Sequence, residues 1–286
     1  MKKIIYLFIA LTFILNLSYG KEIVLSDSYN EITIDPDKIE KIISLAPNIT
    51  EIIYALHGEN KLIGRTNYCD YPKEVINIIS VGEIMNPSIE MIIGMKPDIV
   101  IASNYVSYNT YRLLVEQGIK VFVYNDIKNI EDIYDLIEKV GKIINKDEKA
   151  IEVISELKGK IEEIKTREKK DINVYYMLSY GKQGDYTAGG DTFLSEIIDL
   201  SGAINVSSDV KGWKYSLELL LQNNPDIILT SNKHIKLENL KVENGYKNLD
   251  AIKKGNLYYV DENLIVRPGP RIWLGIDHIR NIIDTF

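Results

Sequence analysis

The stretch SIEMIIGMKPDIVIAS, residues 88–103, is written a second time as SLELLLQNNPDIILTS, residues 216–231. Laid over one another without a gap, Ser88 meets Ser216, Glu90 meets Glu218, Pro97 meets Pro225, Asp98 meets Asp226, Ile99 meets Ile227 and Ser103 meets Ser231. Between them apolar residues face apolar ones. Each copy reads as a helix opened by a serine cap, ended by a Pro-Asp turn and followed by an apolar run of strand length. A solenoid needs three or more repeats, so two copies fit two similar lobes.

Working outward, the first half alternates KIISLA (41–46), a helical stretch from Asn48 to Leu56, KLIGRT (61–66), the first repeat, a helical stretch from Tyr111 to Gln117, and KVFVYN (120–125). Continuous apolar runs alternating with helices predict strands covered on both faces of a largely parallel sheet. Asn48 with Glu51, and Asn129 with Asp132, have the spacing of helix starts. The alternation resumes with INVYYMLSY (172–180), a helix from Thr192 to Leu200, the second repeat, NLYYV (256–260) and a closing helix from Ile272 to Thr285. Between the halves, Ile151, Ile154, Leu157, Ile161 and Ile164 recur at steps of three and four among charged residues. A helix from Asp147 to Glu168 would span roughly 33 Å, enough to cross between lobes, although an amphipathic surface helix within one lobe has the same periodicity. The predicted fold class is α/β, with two Rossmann-like lobes, each with a central, mostly parallel sheet, joined by one long backbone helix.

The N-terminus sets the compartment. Lys2 and Lys3 precede an almost wholly apolar stretch from Ile4 to Leu17, and a small-residue exit ends at Gly20, the order of a secretory signal. The stretch is shorter than the roughly 20 residues of a membrane span, an uncleaved anchor being the other reading. A lipoprotein would need a cysteine directly after the cleavage point, and the one cysteine is Cys69. The expectation is a soluble, periplasmic, monomeric protein: signal peptide 1–20, N-terminal lobe 21–145, inter-lobe helix 146–169 and C-terminal lobe 170–286. Losing Lys2 and Lys3 takes the formal charge from −7 to −9, which disfavours nucleic acid and anionic membrane surfaces as partners. A lone cysteine makes no intramolecular disulfide, so the fold depends on its core.

The chain resembles the solute-binding proteins of the iron-chelate, haem and vitamin B12 ABC importers. The resemblance lies in IISLAPNITEIIYAL, LIGRTNYCDYP, VGEIMNPSIEMIIGMKPDIVIAS, LVEQGIKVFVY, YTAGGDTFLSEIIDLSGAINV, GWKYSLELLLQNNPDIILTS and RPGPRI, which follow the family's order over nearly all of the mature chain. It implies a ligand in a cleft between two lobes, a permease dimer in the inner membrane as partner, and one exposed glutamate on each lobe docking onto permease arginines. The matching positions are Glu90 and Glu218. A carboxylate in a first helical turn behind a serine cap is also an ordinary stabilising feature. One copy fits that reading; two, at equivalent places in two lobes, favour docking.

Ligand contacts are expected from loops at the strand ends. The candidates are Asn48, Tyr68, Tyr71, Met85, Asn86 and Tyr105 from the first lobe, and Tyr180, Tyr186, Trp213, Tyr215 and Arg267 from the second, with Trp213 foremost. These loops, aromatic as well as polar, would grip a flat, partly apolar ligand by stacking and hydroxyl hydrogen bonds. Arg267 could pair with an anionic ligand group, and Arg271 reads as structural. Bare Zn²⁺ or Mn²⁺ capture needs converging imidazole or carboxylate ligands, and His57, His234 and His278 all fall outside the cleft loops. Axial ligation of haem by a tyrosine or Met85 stays open. No nucleophile elbow, phosphate loop or zinc motif is present, so no catalytic residue and no cofactor is expected, the ligand being a transported metal chelate. The rival readings are an exported two-lobed hydrolase and a binding protein for an oxyanion such as molybdate.

Overall fold

The apolar runs assemble into two parallel sheets. The computed structural model describes residues 22–181 and 184–286, so the expected signal segment lies outside the described residues. Strands β1 (Ile23–Ser26) and β2 (Glu31–Ile34) form a hairpin that the sequence pattern did not announce. Its turn is held by the Asp27 carboxylate, which accepts from Tyr29 N and Asn30 N, as Asp does in tight turns. Strands β3 (Ile42–Ser44), β4 (Leu62–Arg65), β5 (Ile79–Ser80), β6 (Ile99–Ser103) and β7 (Lys120–Tyr124) form a parallel sheet in the order β5-β4-β3-β6-β7. Helices α1 (Pro47–Ala55), α2 (Ile89–Met95), α3 (Tyr108–Glu116) and α4 (Ile130–Ile143) complete the first lobe.

After α5 (Asp147–Lys165) come β8 (Asn173–Tyr176), β9 (Asp185–Tyr186), β10 (Ile204–Asn205), β11 (Lys214–Tyr215), β12 (Ile227–Thr230) and β13 (Leu257–Tyr259). Four of these form a second parallel sheet, β10-β8-β12-β13, while β9 pairs antiparallel with β11. Helices α6 (Phe193–Leu200), α7 (Leu217–Asn223), α8 (Leu237–Leu240), α9 (Asp250–Lys254), α10 (Glu262–Ile265) and α11 (Ile272–Asp284) cover it. In both sheets the chain order reverses direction beside the repeat strand, between β3 and β6 and between β8 and β12. The carboxyl ends of strands at such a switch point open into a crevice where ligands bind.

The repeat is equivalent in three dimensions. Ser88 Oγ accepts from Met91 N at 3.3 Å and Ser216 Oγ from Leu219 N at 3.1 Å, capping α2 and α7. Both helices end on a left-handed residue, Lys96 at φ 48° and Asn224 at φ 39°, and a proline that cannot continue a helix follows. The next aspartate then clamps the neighbouring strand's start: Asp98 accepts from Glu40 N and Lys41 N, and Asp226 from Asn173 N.

Helix α5 packs against α4 of the first lobe and against α6 and α11 of the second. Its buried stripe is Ala150, Val153, Leu157, Ile161 and Ile164. Ile151, placed on that stripe by spacing alone, is instead 67% exposed, because the 3.6-residue period carries the stripe through Ala150 and Val153. One apolar cluster runs without a break from the first lobe through α5 into the second. The lobes therefore share a core, which limits how far they can swing apart.

Candidate ligand cleft

The loops at the carboxyl ends of the strands carry large apolar side chains that the core does not absorb. Tyr68, Tyr71, Met85, Tyr105 and Trp213 are all more than 40% exposed. Aromatic surface of this kind, gathered on loops at a switch point, marks a binding surface. Tyr186 and Trp213 come side by side because β9 pairs with β11, Lys214 facing Tyr186 and Thr187 N donating to Trp213 O at 2.8 Å. Gly189 makes that approach feasible: a Cβ there would lie 2.4 Å from Gly212 O, closer than any side chain permits. Tyr180 is half-buried, its ring edge-on to Tyr246 at 5.3 Å. Asn86 is exposed beside Met85.

Tyr215 does not belong to this surface. It is 7% exposed, packs on Tyr175, and donates its hydroxyl to Val206 O at 3.0 Å while accepting from Asn223 Nδ2. Alternation along the two-residue strand β11 turns it into the second lobe's core and turns its neighbours outward.

Where the lobes meet, four charged side chains form a closed network. Arg271 donates from Nε to Glu51 Oε2 at 2.8 Å and from Nη2 to Glu51 Oε1 at 2.5 Å, the bidentate geometry in which Arg pairs most strongly. Its guanidinium lies 3.6 Å from the centroid of the Tyr71 ring, at cation–π distance. Arg267 Nη1 reaches Asp70 Oδ1 at 2.5 Å and Glu51 Oε1 at 3.5 Å, and Nη2 donates to Tyr68 O at 3.2 Å. Asn48 Nδ2 donates to Pro268 O at 3.2 Å. Burial opposes the Arg271 charge, but Glu51 outweighs it and holds the pKa above its ordinary value. The Arg267 guanidinium holds the Asp70 carboxyl below its ordinary range.

Thus Asn48 and Glu51 are not a capping pair. The cap residue of α1 is Ala46, with no side-chain bond, and both polar side chains reach across to the second lobe. Asn129 and Asp132 do form the expected capping box on α4. Arg267, placed toward the ligand by its sequence context, is held by two carboxylates of the first lobe. Glu51, Asp70 and Pro268 were missed as a bridging set. The available signal was a carboxylate in the otherwise apolar helix IISLAPNITEIIYAL, since a buried charge requires a partner.

Two further contacts order the cleft edges. Glu83 accepts from Asn67 Nδ2 at 3.0 Å beside the Tyr68 hydroxyl, so Asn67 and Tyr68 hold its pKa down while it raises that of Tyr68. On the far side, Glu196 of α6 accepts from Ile130 N at the start of α4 at 2.8 Å. Burial raises the Glu196 pKa above 4.5, ahead of the opposing backbone bond. A carboxyl raised on folding stabilises below its unfolded pKa, and that contribution is lost as pH rises through the folded value. Glu196→Gln keeps the acceptor and removes the charge. Its melting temperature is expected to exceed wild type at pH 7, with the gap closing as pH falls toward 4 in calorimetric scans.

Cys69 is buried in its loop, with Thr50 Oγ1 3.1 Å from its sulfur. His57, His234 and His278 are exposed, and among the described residues no cluster of three or more His, Cys, Asp or Glu side chains is arranged to hold a metal ion. Glu90 and Glu218 are exposed in the first turns of α2 and α7. Among the described residues no helix is long and apolar enough to cross a membrane.

The sequence and fold have counterparts among known proteins. An uncharacterized ABC transporter substrate-binding lipoprotein, YvrC of Bacillus subtilis strain 168, is 32% identical over 92% of this chain and 87% of its own. A vitamin B12-binding protein of Vibrio parahaemolyticus is 25% identical over 85% of this chain and 89% of its own. A crystal structure from Staphylococcus epidermidis ATCC 12228, described as a possible iron-binding (periplasmic solute-binding) protein, superposes with a TM-score of 0.79 at 32% identity, covering 86% of this chain and 99% of that one. With the family model for periplasmic binding proteins matching residues 42–264, this chain belongs to that family, the substrate-binding proteins of ABC transporters.

Proposed function

We propose that the protein, exported with its signal removed near Gly20, captures a metal chelate in the inter-lobe cleft and delivers it as a monomer to an inner-membrane permease dimer. The observation that carries this reading is the aromatic surface of Tyr68, Tyr71, Tyr105 and Trp213, exposed at the switch points of two lobes that share one core. Such a surface suits a large, flat, partly apolar ligand, and stacking on it needs no metal ligand from the protein. Relatives named for vitamin B12 and cobalamin support a corrinoid as the first chelate to test. ATP hydrolysis belongs to the importer, and the binding protein contributes capture and docking through Glu90 and Glu218.

The test is an absorbance titration of the purified mature chain with cyanocobalamin, haemin and a ferric siderophore. Saturable binding of one of them at a single site is expected, and binding of none sinks the chelate reading. Trp213→Ala is expected to weaken the bound chelate about 30-fold, the effect of truncating a central aromatic anchor. An unchanged dissociation constant would remove Trp213 from the site.

A further inference from the structure

We propose that Asp70 is a specificity-determining residue: by neutralising Arg267 at the meeting point of the lobes, it selects against polyanionic chelates and in favour of ones whose periphery is amide-like and uncharged. The inference rests on the chelate reading and deepens it.

The charges balance locally. Arg267 and Arg271 bring two positive charges to the cleft floor, and Glu51 and Asp70 bring two negative ones, all within direct ion-pair distance. The four differ in accessibility. The Glu51 side chain is 3% exposed and the Arg271 side chain 19%, so this pair is internal structure. The Asp70 side chain is 62% exposed, whereas that of Arg267, its partner, is only 12% exposed. Asp70, between the exposed Tyr68 and Tyr71, is thus the member open to solvent and to an incoming ligand, with the guanidinium buried behind it.

Arg267 has a second reason to be unavailable. Two of its three guanidinium nitrogens are already engaged, Nη2 donating to Tyr68 O and Nη1 shared between Asp70 and Glu51. A propionate or catecholate entering the cleft would have to displace Asp70, leaving that carboxylate beside the incoming anion. A carboxamide loses nothing comparable, because neutral hydrogen bonds do not depend on a free cation. Like-charge juxtaposition of this kind is a common way to reject a wrong partner. The exposed aromatic rings beside the network carry no charge, so discrimination between anionic and neutral chelates falls to the ion pairs.

Removing Asp70 should therefore do what loss of a structural residue does not: improve binding of something. Asp70→Asn and Asp70→Ala leave Glu51 with Arg271 and expose a net positive charge on Arg267. Each is expected to raise affinity for haemin and for a ferric tricatecholate on the order of tenfold at low salt, and the gain is expected to shrink in high salt, where exposed charges are screened. Affinity for cyanocobalamin is expected to stay within about twofold, because its amide periphery reads no free charge. Wild-type protein binding haemin as tightly as cyanocobalamin overturns the inference, and so does the absence of a salt-dependent gain in both variants. Failure of wild-type protein to bind any chelate defeats the functional reading instead, since the comparison of variant with wild type on the anionic probes decides the role of Asp70 on its own.

Discussion

Reversing both Glu90 and Glu218 to arginine is expected to lower chelate uptake on the order of 100-fold while leaving chelate affinity within about twofold. The two carboxylates are exposed at corresponding positions of α2 and α7, each one residue into a helix whose serine cap is satisfied and whose far end is fixed by a Pro-Asp clamp to the neighbouring strand. Each helix is thus anchored at both ends, and the glutamate is the part left over for a partner. If the docking proposal holds and these carboxylates meet permease arginines, a reversed charge replaces attraction by repulsion worth several kcal/mol, and about 2.7 kcal/mol already corresponds to 100-fold. The competing reading, in which these are ordinary first-turn acids favoured by the helix dipole, gives a different result. It predicts about 0.3–1 kcal/mol of lost stability at each position and no change in uptake. Transport of labelled chelate into proteoliposomes holding the importer, with chelate affinity measured in parallel, separates the two. Full uptake by the doubly reversed protein would end the docking proposal.

The architecture was legible in the sequence because hydrophobic period is a local property. The repeat at 88–103 and 216–231 foretold two lobes, and the short apolar runs foretold parallel strands buried on both faces. What could not be read was which of two local solutions a residue would take once a distant element arrived. Asn48 and Glu51 have the spacing of a cap, yet Pro268 and Arg271, more than two hundred residues away in sequence, claim their side chains. Tyr215 resembles its cleft neighbours in composition, but strand alternation turns it inward onto Tyr175. Ile151 fits the charged helix's stripe by counting, and only contact with both lobes selects Ala150 and Val153 in its place. The hairpin β1–β2 was overlooked because its strands alternate weakly, and what fixes it is the Asp27 turn together with bonds from Ser28 to Val123 O on β7.

Glu51→Gln is expected to lower stability by about 3 kcal/mol, the low end of the cost of breaking a buried ion pair. For a chain of this size that corresponds to a fall in melting temperature of roughly 6–12 °C. The cost is high because the Glu51 side chain is 3% exposed and serves two guanidiniums at once. Gln keeps an amide oxygen but no charge, so Arg271 loses its bidentate ion pair and is left with a neutral acceptor and its stacking on Tyr71, while Arg267 keeps Asp70 and the Tyr68 carbonyl. An unpaired, half-desolvated charge then sits where the two lobes meet. Because the apolar cluster continues through α5 from one lobe to the other, the loss is expected to lower a single cooperative transition rather than free one lobe to melt first. Arg271→Met should cost a similar amount by leaving the buried Glu51 with only its longer, 3.5 Å contact to Arg267. The double variant Glu51→Leu, Arg271→Met should recover most of the loss, since replacing a buried pair by apolar residues of similar volume is often neutral or stabilising. Thermal unfolding of wild type and these variants, followed by circular dichroism, compares them. A Glu51→Gln protein melting within about 1 °C of wild type, a shift corresponding to well under 1 kcal/mol, would show that the network does not hold the lobes together.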